Sequence, residues 1–204
     1  MTVPTPELSY LLSAIRACRN CVVAPQGKPL PHEPRPVLRA SSTARLAVCS
    51  QAPGTKVHQT GISFTDASGV RLRQWMGVGE AEFYDEARVA IVPVGFCFPG
   101  QDENGADLPP RRECAPLWHR DLFAALPQIE LVLAVGSYAQ RWHLGEATGQ
   151  TLQETMGEWR QHVARKRVLP LPHPSWRNNA WLTENAWFEK DLLPVLRREV
   201  RRLL

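Results

Sequence analysis

Four short apolar runs, at residues 45–49, 89–94, 131–135 and 167–171, constrain the fold of this chain more than any other feature. Each is strand-length and apolar almost throughout, the pattern of a strand buried on both faces of a sheet. Between them lie stretches with helical apolar spacing. Strands alternating with helices imply a parallel sheet covered on both faces, with right-handed crossovers. The expected fold is α/β: a three-layer α/β/α sandwich around a central four-stranded parallel sheet. Helices are expected over 8–17, from Ser68 to about Met76, over 111–126 behind Pro109-Pro110, from Gly136-Ser137 onward, over 155–163 and over 185–203. In the last of these, Pro194 should kink or interrupt the helix.

In open α/β sheets, ligands sit beyond the carboxyl ends of the strands. Two loops there are unusually polar. The first strand runs into Ser50-Gln51-Ala52-Pro53-Gly54, and no helical pattern resumes until Ser68, so residues 50–67 read as one long loop. The fourth strand delivers His173-Pro174-Ser175-Trp176-Arg177-Asn178-Asn179. Two such loops at one sheet edge can close on a single ligand.

A length of 204 residues fits one domain, 1–204, in which residues 1–44 supply a helix, a Cys-x-x-Cys and a proline-rich extended covering segment. No run approaches the ~20 apolar residues of a membrane span, and the first residues lack the basic start and apolar core of a signal peptide. A cytoplasmic monomer with no membrane contact is the expectation. The net charge is +4, and 20 of the 24 basic residues are arginines. That balance suits a polyanionic partner and equally a solvated basic surface. Arg197, Arg198, Arg201 and Arg202 fall in the last helix, where cations complement the helix dipole, so they are not read as a DNA site.

Five cysteines in such a chain argue for metal ligands, nucleophiles or core thiols, not disulfides. The two-residue spacer of Cys18 and Cys21 lets both face one ion, which suits zinc, iron–sulfur or redox chemistry. Cys49, inside an apolar strand, reads as a core thiol.

The segments Gln51-Ala-Pro-Gly54, Thr60-Gly-Ile-Ser-Phe64 and His173-Pro-Ser175, in this order and strand–loop context, resemble the two active-site motifs of the uracil-DNA glycosylase superfamily. The layout of Cys18, Cys21, Cys97 and Cys114 is similar to the branch of that superfamily carrying an iron–sulfur cluster. The resemblance implies a base-excision repair enzyme. It would hydrolyse the N-glycosidic bond of a flipped-out deaminated base in DNA, uracil first, and leave an abasic site. Such chemistry needs a donor aimed at the departing base, an acceptor that positions water, and a pocket with an aromatic wall. The resemblance assigns the donor to His173, the stacking surface to Phe64, and base or water contacts to Gln51, Ala52, Pro53 and Gly54. Ser175, Trp176, Arg177 and Asn178 would meet the DNA, with Trp176 and Arg177 at the minor groove and Arg177 contacting phosphate or filling the vacated stack; a plain surface role is the alternative for Arg177. Cys18, Cys21, Cys97 and Cys114 would hold a 4Fe–4S cluster; zinc or no metal are the alternatives. No lysine lies in either motif, so a monofunctional enzyme without a Schiff-base lyase step is expected.

Two departures bear on mechanism. Ala52 stands where several branches carry an Asp or Asn that handles the water. The nearest substitute is Asp66, in a Asp-x-Ser-Gly resembling another branch; it is equally placed to cap the following helix. Pro93 stands where uracil-specific relatives carry an Asn that reads the pyrimidine edge. Hypoxanthine or xanthine specificity, a DNA-binding member with weak or no hydrolysis, and a nucleotide-directed enzyme are therefore the competing readings.

Overall fold

The computed structural model describes residues 7–204, so residues 1–6 of the expected N-terminal region lie outside it. Four strands, β1 (Leu46–Cys49), β2 (Val89–Ile91), β3 (Leu131–Val135) and β4 (Val168–Leu171), form one sheet in the order β2-β1-β3-β4. Every pairing is parallel, with Val48 opposite both Ile91 and Leu133, and Leu133 opposite Leu169. The expected four-stranded parallel sheet is present.

Alternation within each buried strand separates two faces. Leu46, Val48, Ile91, Leu133 and Leu171 pack with Leu72, Trp75, Met76, Trp159 and Phe188 on one side. The smaller Ala47, Cys49, Ala90 and Ala134 face Ile15, Ala115, Leu122 and Ala139 on the other. The first layer therefore holds α4 (Ala67–Met76), α5 (Glu80–Phe83), α8 (Leu152–Gly157), α9 (Trp159–Lys166) and α11 (Leu193–Leu203). The second holds α1 (Leu8–Arg16), α6 (Cys114–Ala124) and α7 (Ser137–Leu144). Short helices α2 (Asn20–Val23), α3 (Thr55–Thr60) and α10 (Asn179–Glu184) sit in connections.

Several expected boundaries move for identifiable reasons. The 89–94 run pairs as a regular strand only to Ile91. Val92 N–H still donates to Val48 O at 2.9 Å and Val94 N–H to Ser50 O at 2.8 Å, while Pro93, between them, falls on the side facing away from β1. The single helix expected over 155–163 is two, α8 and α9, parted at Glu158. The C-terminal helix is interrupted as expected: a π-helical turn at Phe188–Leu192 precedes α11, which carries Pro194 in its first turn. The long polar loop contains α3, whose C-terminal carbonyls, His58 O and Gln59 O, accept from Arg35 Nη1 at 2.6 and 2.8 Å.

The covering segment protects the open edge of β2: Arg39 exchanges backbone hydrogen bonds with Ile91 at 3.0 and 2.8 Å. The arginines of α11 are used structurally. Arg197 donates to Trp75 O and Gln74 O at the end of α4, and Arg202 to Glu130 and Glu199. No helix among the described residues is long and apolar enough to cross a membrane.

Candidate active site

A cavity of about 310 Å³ opens at the carboxyl edge of the sheet, where β1, β2 and β4 end. Its walls include Gln51, Ala52, Pro53 and Gly54 from the β1 loop, Phe64 and Asp66 before α4, Pro93 after β2, and His173 after β4. The sequence motifs therefore converge on one site.

Phe64 owes its place to a glycine. Its backbone is left-handed, at φ 60°, and a methyl on Gly69 would lie 1.8 Å from Phe64 O. Only a residue without a side chain allows α4 to begin so close to that turn. The ring is buried and meets Phe83 edge-on at 5.8 Å, so its position is fixed by the core. Arg73 Nη1 also donates to Phe64 O at 3.0 Å. Asp66 is the N-cap of α4, its Oδ1 accepting from Gly69 N–H at 3.0 Å. One carboxylate oxygen is thus committed to the helix, while the residue still lines the cavity.

His173 follows β4 by two residues. The buried Gln140 donates from Nε2 to Leu171 O at 2.8 Å, and Asn178 Nδ2 donates to His173 O at 2.7 Å. A methyl on Gly136 would lie 3.5 Å from His173 Cβ, so the start of α7 packs directly on the imidazole stem. Burial pulls the His173 imidazole below its ordinary value; the Asp66 carboxylate opposes this and the Arg177 guanidinium adds to it. The ring is accordingly neutral at pH 7, able to donate one N–H without carrying a charge.

The remaining motif residues divide. Gln51 lines the cavity, but its carbonyl is taken by Gly95 N–H at 2.8 Å, leaving the side chain for a ligand. Pro93 likewise presents no free carbonyl, since its oxygen is bound to His119 Nε2 at 3.0 Å. Trp176 is 73% exposed and Arg177 is also exposed, its guanidinium carbon 6.0 Å from the centre of the Trp176 ring. Ser175 accepts from Arg71 Nη1 through its carbonyl at 3.3 Å, and Arg71 also reaches Asn179 Oδ1 at 2.8 Å, tying α4 to the His173 loop. Asn178, expected at the DNA, spends its amide on His173 O. The motifs also missed cavity-lining Lys56, Gln101 and Asp107. Lys56 Nζ donates to Thr65 O at 3.2 Å. Gln101 and Asp107 come from a hairpin whose only signal in the sequence was its turn residues, Asp102 and Gly105.

All five cysteines are free thiols. Burial pushes Cys97 and Cys114 up to about 12, with further contributions from Cys21 and Cys18, so these four share one neighbourhood. Phe96 N–H points at Cys114 Sγ, 3.3 Å away, and the Arg35 backbone N–H at Cys97. Among the described residues, no three His, Cys, Asp or Glu side chains are gathered as a ligand set for a single metal ion. Burial alone raises Cys49, a core thiol as expected.

A cavity at the carboxyl edge of an open parallel sheet, with an imidazole and a carboxylate on its walls, is where α/β folds place their ligand sites. Residues 38–197 match the family model of the uracil DNA glycosylase superfamily, and the chain belongs to that superfamily. The general activity is that of a DNA glycosylase, and DNA is its substrate.

Proposed function

We propose that this protein is a monofunctional glycosylase that removes a deaminated base from DNA by hydrolysis. The observation that carries this is His173, held by Asn178, Gly136 and the end of β4 on the same cavity as Phe64 and Asp66. The flipped base stacks on Phe64. His173 donates a hydrogen bond to the base as its charge develops, a role that favours a neutral imidazole with one N–H. Asp66, through the oxygen not used by Gly69, positions the water in place of the acid absent at Ala52. Trp176 and Arg177 face the DNA, where the exposed ring is suited to enter the vacated stack.

Cys18, Cys21, Cys97 and Cys114 would hold a 4Fe–4S cluster. Four mutually close thiols with backbone N–H groups aimed at sulfur fit a cluster, which spreads its ligands farther apart than a single ion does. Bound there, it would join the N-terminal segment to the 97–114 loop and take no part in hydrolysis.

The test is cleavage at abasic sites after incubation with oligonucleotides carrying uracil, hypoxanthine or xanthine, single- and double-stranded. Base release by the wild type should disappear in His173→Ala while DNA affinity stays within about threefold, since phosphate contacts dominate affinity. Unchanged turnover in His173→Ala would remove the imidazole from the mechanism. No release from any substrate would favour a DNA-binding member without hydrolysis, which Ala52 and Pro93 at the cavity make the second reading.

A further inference from the structure

The cavity contains a carboxylate for which the motifs leave no role. Residues 100–108 form a tight hairpin: Leu108 N–H donates to Gly100 O at 2.9 Å and Asp102 N–H to Ala106 O at 2.9 Å. Asp102 Oδ1 locks the turn by accepting from Asn104 N–H and Ala106 N–H at 2.9 and 2.8 Å, with Gly105 left-handed at φ 75°. Gln101 and Asp107 pair across the hairpin, and Gln101 Nε2 donates to Asp107 Oδ1 at 3.2 Å. Asp107 Oδ2 is left over. It lies 2.9 Å from the point where a methyl on Gly54 would sit. The missing side chain at Gly54 is what admits this carboxylate.

We propose that Asp107 and Gln101 together read the lactam edge of the flipped base, an inference that rests on the glycosylase reading of this cavity. Deamination of cytosine or adenine replaces an exocyclic amino donor and a ring-nitrogen acceptor by a carbonyl acceptor and a ring N–H donor. A carboxylate only accepts, and the Gln101 amide nitrogen has a second N–H beyond the one given to Asp107. The pair therefore offers an acceptor beside a donor, complementary to N–H beside C=O. Cytosine or adenine would turn its ring-nitrogen lone pair towards the carboxylate, and the resulting unpaired groups reject it. Pro93 offers nothing for this purpose, because it lacks a side-chain polar group and its carbonyl is held by His119. The edge is shared by uracil, hypoxanthine and xanthine, and also by thymine and guanine, so the pair separates deaminated cytosine and adenine from their parent bases and leaves ring size and the exclusion of thymine and guanine to the cavity walls.

The test measures binding of free uracil against 3-methyluracil, and hypoxanthine against 1-methylhypoxanthine, by titration calorimetry. Methylation removes the N–H without altering the carbonyl. The wild type should prefer each parent base by about tenfold or more, the scale of a hydrogen bond to a charged group. Asp107→Ala should bring the preference close to one, and Gln101→Ala should lower it partway; Asp107→Asn, isosteric and still an acceptor, should retain part of it. Thermal midpoints report folding in each case. A wild type without the preference, or a folded Asp107→Ala that keeps it, overturns the proposal. Base release from oligonucleotides, measured on the same preparations, separates the two readings. Release without N–H preference removes the Asp107 role alone, whereas N–H preference without release removes hydrolysis alone.

Discussion

Asp66 is assigned two roles that substitutions can separate. Its Oδ1 accepts from Gly69 N–H at 3.0 Å as the N-cap of α4, and the same residue lines the cavity and acts electrostatically on His173. Asn and Ser are N-caps as good as Asp, whereas Ala is not, at a cost of about 1 kcal/mol. For a chain of this size that is a fall of roughly 2–4 °C in thermal midpoint. Asp66→Asn and Asp66→Ser should therefore melt within about 1 °C of the wild type, and Asp66→Ala below all three. Activity should follow a different order. Neither Asn nor Ser offers a carboxylate to the water, so all three variants should lose single-turnover base release by about 10²–10⁴, the usual contribution of a positioned base. Removing the negative charge should also lower the His173 titration midpoint, since Asp66 supports the charged ring; NMR of the imidazole reads this directly. Full turnover in Asp66→Asn would leave the residue as a cap only. Equal destabilisation by Asn, Ser and Ala would show instead that the cap is not what the carboxylate contributes.

Gly69→Ala tests the Phe64 turn: its methyl would meet Phe64 O at 1.8 Å, so that turn must shift. Overpacking of this kind costs about 1–3 kcal/mol, and base release should fall beyond what the stability loss explains; an unchanged melt and rate would refute the close approach. A second expectation concerns pH. Burial lowers His119 to about 4 and His143 to about 3, among Phe96, Phe123 and Trp142, and His143 Nε2 has no partner. Both are neutral in the fold but protonate near pH 6.5 when unfolded, so the unfolded state binds more protons below that point. Stability is complete above about pH 6.5 and falls as pH drops, by up to about 2 kcal/mol per histidine at pH 5. Urea midpoints at pH 7 and pH 5 should show this, and His143→Leu should flatten about half of it; equal midpoints in the wild type would contradict the burial argument.

The sheet was legible because its strands are buried on both faces and short. Residues 131–135 stand as read, and the small residues Ala47, Cys49, Ala90 and Ala134 needed only the second face to be placed. Pro93 was visible in the sequence and was read as a change of specificity; in the fold it lines the cavity between Val92 and Val94, whose N–H groups still reach β1. The short helix α3 was not legible. It carries no buried side chain and is held by Arg35, distant in sequence, so no apolar periodicity announces it. The site was legible where its residues sit directly on strand ends, as with Gln51 and His173. It was not legible where the chain returns from elsewhere: Asp107 enters the cavity only because a hairpin folds back on Gly54. Asn178 shows the reverse case, a motif position whose amide turns inward to hold the His173 backbone.

These returns have a common anchor. The segment between Cys97 and Cys114 contributes Gln101 and Asp107 to the cavity and sets Pro110 against Gly95, where an added methyl would lie 3.2 Å from Pro110 Cβ and 3.5 Å from Ala52 Cβ. Its C-terminal end is fixed by Glu113, buried and paired with Arg111 at 2.7 Å; Glu113 also accepts from Gln26 N–H, and Arg111 donates to Lys28 O. The covering segment, the thiol neighbourhood and the hairpin are thus one mechanical unit. An exposed hairpin alone would hold a carboxylate loosely. Tied at both ends to buried groups, it can hold Asp107 against Gly54 with the constancy that reading a base edge requires.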